Sequence, residues 1–201
     1  HTIVQADTVT TDVINPNTVA LSGAFVETIY PTRKFGQNWR HRRDSTRDRV
    51  GEIIGRRIAR DLPSDSIVEF GFGLPWFAFD YLPKDRGIMV HSEGLLGINS
   101  VVPVDQPDTG VRSAYGDAVD FGRLGSVQTF DHSFKLINAG LVDVAVLGAY
   151  EADAHGDFAS WKANPEERLP AVGGSLELAT RSRNLWIAMK HTTSDGRSKI
   201  V

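Results

Sequence analysis

Cysteine is absent from this 201-residue chain, which excludes disulfides, thiolate metal sites and a cysteine nucleophile in one step. No apolar run reaches membrane-spanning length, and the first residues lack a charged-then-apolar signal, so a cytoplasmic protein with no membrane contact is expected. No strong excess of one charge sign is present either. The formal net charge of −3 argues against nucleic acid as a partner. His1, His41, His91, His132, His155 and His191 are too far apart to show a metal-ligand spacing, so no metal is expected. Internal repeats and low-complexity segments are missing. What is there is ordinary for a globular protein with a real core: 41% hydrophobic and 23% charged residues, in a length that suits one substantial domain with or without an appendage.

Hydrophobic patterning divides the chain into three parts. Residues 1–30 read as a β-rich arm, with strands at 2–4, 9–13 and 24–30 separated by turns at Asn15-Pro16-Asn17 and Ser22-Gly23. Residues 31–47 are polar and basic and read as a linker. Residues 48–201 read as the main domain. A helix is expected at about 45–62, where Val50, Ile53, Ile54, Ile58 and Leu62 share one face and Pro63 ends it. The strand Ser66-Ile67-Val68-Glu69-Phe70 leads through Gly71-Phe72-Gly73-Leu74-Pro75 into an aromatic helix at 76–82. A second apolar strand, Gly87-Ile88-Met89-Val90-His91, ends on the turn Ser92-Glu93-Gly94-Leu95-Leu96-Gly97. Residues 99–125 read as a long irregular stretch dense in proline and glycine. Asp131 is expected to cap a helix at 132–138 closed by Gly140, before a buried strand at 142–148. Gly173-Gly174 open another short helix, and 184–190 read as a last strand. Strand and helix alternate, which is the α/β pattern: a largely parallel central sheet flanked by helices.

Glu93 is the residue best placed for chemistry. An apolar strand that ends on a carboxylate and breaks into glycines delivers that carboxylate to the carboxyl edge of a sheet, where open α/β folds bind ligands. Gly71 and Gly73 would let backbone N–H groups approach an anionic or carbonyl oxygen, although an isolated pair of this kind reads first as a plain strand-to-helix turn. It is not a dinucleotide fingerprint, because its third glycine would fall on Trp76. The arginines from Arg40 to Arg60 are interleaved with Asp44, Asp48, Glu52 and Asp61. They read first as a solvated helix face, then as a partner contact, and third as a phosphate site. Trp76, Trp161 and Trp186 read as core or interface.

Taken in order, these motifs resemble the β-type half of the family I coenzyme A transferases of the succinyl-CoA:3-oxoacid kind. The family's G-I-G-I-P turn appears as Gly71 to Pro75, and its S-E-N-G-L-L-G segment as Ser92-Glu93-Gly94-Leu95-Leu96-Gly97. Its D-S-F element appears as Asp131-His132-Ser133-Phe134, and L-G-A-M-Q as Leu147-Gly148-Ala149-Tyr150-Glu151. N-G-D-L-A-N-W becomes His155-Gly156-Asp157-Phe158-Ala159-Ser160-Trp161, and G-G-A-M-D-L becomes Gly173-Gly174-Ser175-Leu176-Glu177-Leu178. The asparagine after the family's glutamate is missing, and residues 100–125 diverge. Near the N-terminus, Ile14-Asn15-Pro16-Asn17 and the 22–29 segment resemble the tail of the α-type half.

The resemblance implies ping-pong transfer of coenzyme A, a substrate rather than a resident cofactor, from an acyl-CoA to a 3-oxoacid-type carboxylic acid. It assigns Glu93 as the nucleophile that carries a covalent glutamyl-CoA thioester. Gly71, Gly73, Gly173 and Gly174 become oxyanion or substrate-binding positions, and Gly173, Gly174 and Ser175 contact coenzyme A. It also implies an α-type partner half that completes the site. Two other readings stay open: an acyl-CoA hydrolase on the same fold, and a non-catalytic acyl-CoA-binding subunit.

Overall fold

The computed structural model describes residues 3–6, 28–31, 48–103, 110–162, 166 and 173–201. The chain forms two compact units, residues 1–42 and 43–201. In the first, β1 (Ile3–Ala6) and β2 (Thr28–Pro31) pair in parallel, with Ile3 opposite Thr28. The strand expected at 9–13 and most of the basic stretch at 31–47 lie outside the described residues.

The second unit is built on a six-stranded sheet. In chain order its strands are β3 (Ile67–Phe70), β4 (Met89–Ser92), β5 (Leu95–Val101), β6 (Val119–Val127), β7 (Val144–Leu147) and β10 (Asn184–Ile187). Their order across the sheet is β10-β7-β3-β4-β5-β6, the first four parallel and the last two antiparallel. The expected largely parallel sheet is therefore present, with a hairpin extension at one edge. A small two-stranded ribbon, β8 (Glu151–Ala152) and β9 (Phe158–Ala159), lies outside it. Among the described residues no helix is long and apolar enough to cross a membrane.

Successive side chains on a strand point to opposite faces, and the core divides accordingly. Val68, Phe70, Val90, Val144 and Val146 join one cluster with Ile58, Leu62, Trp76 and Phe79. Ala145 and Leu147, with Ile67 packed beside them, join another with Ile137, Val142 and Leu178. The first face carries α1 (Arg49–Asp61) and a 3-10 helix (Leu74–Tyr81); the second carries α2 (Phe130–Asn138) and α3 (Ser175–Arg181).

Four expectations need correction. The helix expected at 45–62 is α1, capped by Asp48, whose carboxylate accepts the N–H groups of Val50 and Gly51 at 3.1 and 3.2 Å. Its buried face runs through Gly51, Gly55, Ile58 and Ala59, and leaves Val50 and Ile53 42% and 59% exposed. Glycine decides this: a Cβ on Gly55 would lie 2.7 Å from the Phe77 backbone, so only a bare backbone permits the approach. The aromatic segment expected as a helix at 76–82 is a 3-10 helix. Three residues per turn bring positions i and i+3 into line, and Trp76 and Phe79 stack at 4.6 Å. Asp131 does not cap α2; Thr129 holds that position, and Asp131 sits in the first turn paired with Lys135. The stretch expected to be irregular at 99–125 contains most of β6 and the end of β5.

Candidate active site

The strand order changes direction between β3 and β7: β4 follows on one side of β3, while β7 and β10 add on the other. Open α/β sheets leave a crevice beyond the carboxyl ends of the strands at such a point. A cavity of about 540 Å³ lies there. Phe70, Gly71 and Phe72 enter its wall from the end of β3, Leu147 and Gly148 from β7, and Ala188 and Met189 from β10. Glu93 enters from the end of β4, and Gly173, Gly174 and Ser175 from the start of α3.

Glu93 occupies a two-residue turn, since Ser92 and Leu95 already pair as the last and first residues of β4 and β5. Gly94 takes φ of +84°, the left-handed corner that such a turn demands and that glycine adopts without strain. The missing asparagine thus corresponds to a minimal hairpin. The Glu93 side chain is accessible while its neighbours Ser92 and Gly94 are buried. Partial desolvation raises its carboxyl pKa, the charge of Glu69 raises it further, and His91 opposes both.

The expected glycines have unequal roles. Gly71 lines the cavity, but its N–H donates to the Val146 carbonyl at 2.7 Å and so extends the β3–β7 pairing. Gly73 provides the positive φ of the turn and accepts the Trp76 N–H through its carbonyl at 3.2 Å. The cavity wall takes Phe72 and Leu74 from either side of it. Gly173, Gly174 and Ser175 lie together on the wall that Glu93 shares. Trp161 is half exposed and lies outside the cavity, whereas Trp76 is buried against Tyr115, with ring centroids 4.1 Å apart, and donates to Asp117 at 3.0 Å. Among the described residues no cluster of histidine and carboxylate side chains could hold a metal ion.

Several residues at the site escape the sequence reading. Tyr115 lines the cavity, and its hydroxyl donates to the Phe70 carbonyl; burial, with Glu69 next, raises its pKa well above the phenol range. It lies in the divergent segment, where no local pattern marks it. Glu69 and His91 are register partners on β3 and β4, and both are buried. His91 Nδ1 contacts the Glu69 carboxylate, and His91 Nε2 lies 2.8 Å from Ser133 Oγ on α2. A charged residue inside an apolar strand was the available signal for this group, because buried carboxylates are rare without a partner. Lys199 is the cation on the described wall, and its Nζ donates to the Ala149 carbonyl at 2.7 Å.

Residues 52–201 match the family model described as Coenzyme A transferase. One subunit of the 3-oxoadipate CoA-transferase of Acinetobacter baylyi is 33% identical over 157 residues, which cover 78% of this chain and 70% of that protein. The acetate CoA-transferase subunit beta of Escherichia coli is 38% identical over 151 residues, covering 74% and 67%. Among solved structures, an acyl-CoA transferase of Escherichia coli in a thioester complex with CoA superposes with a TM-score of 0.59 over 95% of this chain. At 16% identity that likeness speaks for the fold, and this chain spans 36% of that longer one.

Proposed function

The chain belongs to the coenzyme A transferase family, and we propose that, completed by an α-type half, it transfers coenzyme A from an acyl-CoA to a 3-oxoacid-type carboxylic acid. The observation that carries this reading is Glu93: an accessible carboxylate on a two-residue turn at the carboxyl edge of the sheet, sharing a cavity wall with Gly173 and Gly174. A carboxylate is a weak nucleophile, so placement and oxyanion stabilisation must provide most of the rate.

A Glu93 oxygen attacks the thioester carbonyl carbon, the C–S bond breaks, and an acyl–glutamyl anhydride and a CoA thiolate result. The thiolate attacks Glu93 Cδ, forming the glutamyl-CoA thioester and releasing the first acid as its carboxylate. The acceptor carboxylate then attacks Cδ and expels the thiolate, which takes the acyl group from the new anhydride and regenerates Glu93. Each step passes through an oxyanion, for which the Gly173 and Gly174 backbone N–H groups are the assigned donors. Gly71, Phe72 and Leu74 form the wall against which the acyl part rests, with Gly73 as the turn between the last two. The first attack requires the Glu93 carboxylate, whose pKa burial raises first and the charge of Glu69 second.

The test is a trapping experiment. Incubation of the α–β assembly with acyl-CoA and no acceptor should leave CoA covalently on the peptide containing Ser92-Glu93-Gly94, and an added carboxylic acid should discharge it. Continuous release of free CoA without an adduct, at a rate indifferent to added acids, would establish a hydrolase instead. An interface of obligate size with the α-type half, on the order of 2,000 Å² or more, is expected. A monodisperse, active monomer of this chain would contradict that part.

A further inference from the structure

Between the apolar residues of the second core runs a continuous polar chain that ends at the Glu93 turn. The Gly94 N–H donates to Ser133 Oγ at 3.0 Å, and Ser133 Oγ lies 2.8 Å from His91 Nε2. His91 Nδ1 in turn meets the Glu69 carboxylate. The Glu69 carboxylate accepts, so His91 Nδ1 carries a proton and donates it to Glu69. Ser133 Oγ accepts from Gly94 and still has a proton and a second lone pair, so it meets His91 Nε2 as donor or acceptor according to the protonation of the ring.

The connectivity is that of a serine nucleophile with a histidine base and an acid, but Ser133 has 0% exposure and is absent from the cavity wall. No substrate carbonyl can reach it. What the chain does touch is the peptide group joining Glu93 to Gly94. On the other side of Glu93, Ser92 Oγ accepts the Ala114 N–H at 3.0 Å. The accessible carboxylate therefore sits between two residues whose polar groups are tied to separate elements, α2 on one side and the 110–118 segment on the other.

We propose that Glu69, His91 and Ser133 are positioning residues, a buried strut between β3, β4 and α2 that holds the Glu93 turn at its attack geometry. The proposal rests on the assignment of Glu93 as nucleophile. A two-residue turn has few internal restraints on where its first side chain points, and a displacement of about 1 Å at a reacting atom costs on the order of 100-fold in rate. A side chain from a different element that binds the corner amide removes that freedom. Glu69 fixes the ring orientation of His91, as carboxylates do for histidines whose other nitrogen has a task.

The test compares Ser133→Ala, Glu69→Ala, Glu69→Gln and Glu93→Ala in the assembled enzyme, with amide hydrogen exchange at Gly94 measured alongside. Ser133→Ala should lower kcat about 10- to 100-fold while KM for acyl-CoA changes less than about threefold. It should also speed exchange of the Gly94 amide at least about tenfold, with β3 and β7 amides unchanged. Glu69→Gln keeps an acceptor for His91 Nδ1 and should retain kcat within a few-fold, whereas Glu69→Ala should fall toward Ser133→Ala. Normal kcat and a protected Gly94 amide in Ser133→Ala, with Glu93→Ala inactive, would overturn the strut and leave the nucleophile standing. Equal losses in Glu69→Gln and Glu69→Ala, in proportion to unfolded protein, would also overturn it. An active Glu93→Ala enzyme would remove the nucleophile, and the strut's catalytic meaning with it.

Discussion

On one face of the central sheet Val68, Phe70, Val90, Val144 and Val146 meet α1 and the 3-10 helix through apolar side chains. On the other face Glu69 and His91 meet each other, and His91 meets Ser133 of α2. The same strands supply both faces, one residue apart. Full burial of each large apolar side chain contributes about 1.5–3 kcal/mol, so the first face is a net source of stability. The second encloses a carboxyl group and an imidazole, polar groups whose removal from water is offset only through the hydrogen bonds they make. Stability is concentrated on the purely apolar face, and the other face carries groups that a sheet built only for stability would omit.

Breaking the reactive side should have the largest effect. Glu93→Ala should reduce turnover by about 10⁶-fold, the scale on which loss of a covalent nucleophile is felt, with circular dichroism and melting temperature little changed. Glu93→Asp withdraws the carboxylate by one bond and should cost about 10²-fold. Steady-state turnover checks both, and near-normal activity in either would end the assignment.

Breaking the apolar side should reverse that pattern. Leu62 is fully buried in the first cluster, and Leu62→Ala should destabilise by about 2–5 kcal/mol in denaturant titration, while activity per folded molecule stays near normal. Gly55→Ala is sharper. Helix propensity alone would favour alanine by about 1 kcal/mol, but the added Cβ would meet the Phe77 backbone at 2.7 Å. Overpacking of that kind costs about 1–3 kcal/mol, so a net loss of stability is expected, and a rise in melting temperature would show that α1 can slide.

The smallest effect concerns protons. The folded-state pKa of Glu93 is raised above its unfolded value, by burial first and Glu69 second. For a carboxyl shifted upward, ionisation opposes folding: the protonated form's advantage is complete below the unfolded pKa and is lost as pH rises through the folded one. Glu93→Gln should therefore raise the melting temperature slightly at neutral pH, with the gain vanishing in acid. The acid limb of kcat/KM should fall at a pH above the ordinary glutamate value. Glu69→Gln, by removing a neighbouring negative charge, should move that limb to lower pH. A limb that moved up, or not at all, would show that Glu69 does not act on Glu93 electrostatically.

The strand–turn–carboxylate unit at 87–94 was legible because its chemistry is local: β-branched and apolar residues, then a carboxylate, then glycine. The parallel core strands at 67–70 and 144–147 were legible for the same reason. The β5–β6 hairpin was not, because its glycines resemble loop residues. In the sheet they allow close approach: a Cβ on Gly97 would stand 2.9 Å from Gly125 Cα, and the β5–β6 register shifts on both sides of Ile98. The buried face of α1 was misjudged because its tightest contacts are made by residues without side chains. The polar chain was invisible for another reason, since its members are 22 and 42 residues apart and meet only once β3, β4 and α2 are assembled.

The reversal of the chain after Glu93 bears on how such a protein can diversify. Because β5 runs antiparallel to β4, the polypeptide leaves the carboxylate at once, and among the described residues it is next on the cavity wall at Ala114 and Tyr115. Side chains of the 110–118 segment can thus change by substitution while its tie to the residue beside the turn, the Ala114 N–H to Ser92 Oγ, is kept by a backbone group. On the proposed reading, a lineage can explore new acids while Glu93 stays in place, and the same separation offers an engineer a place to randomise side chains with that carboxylate left alone.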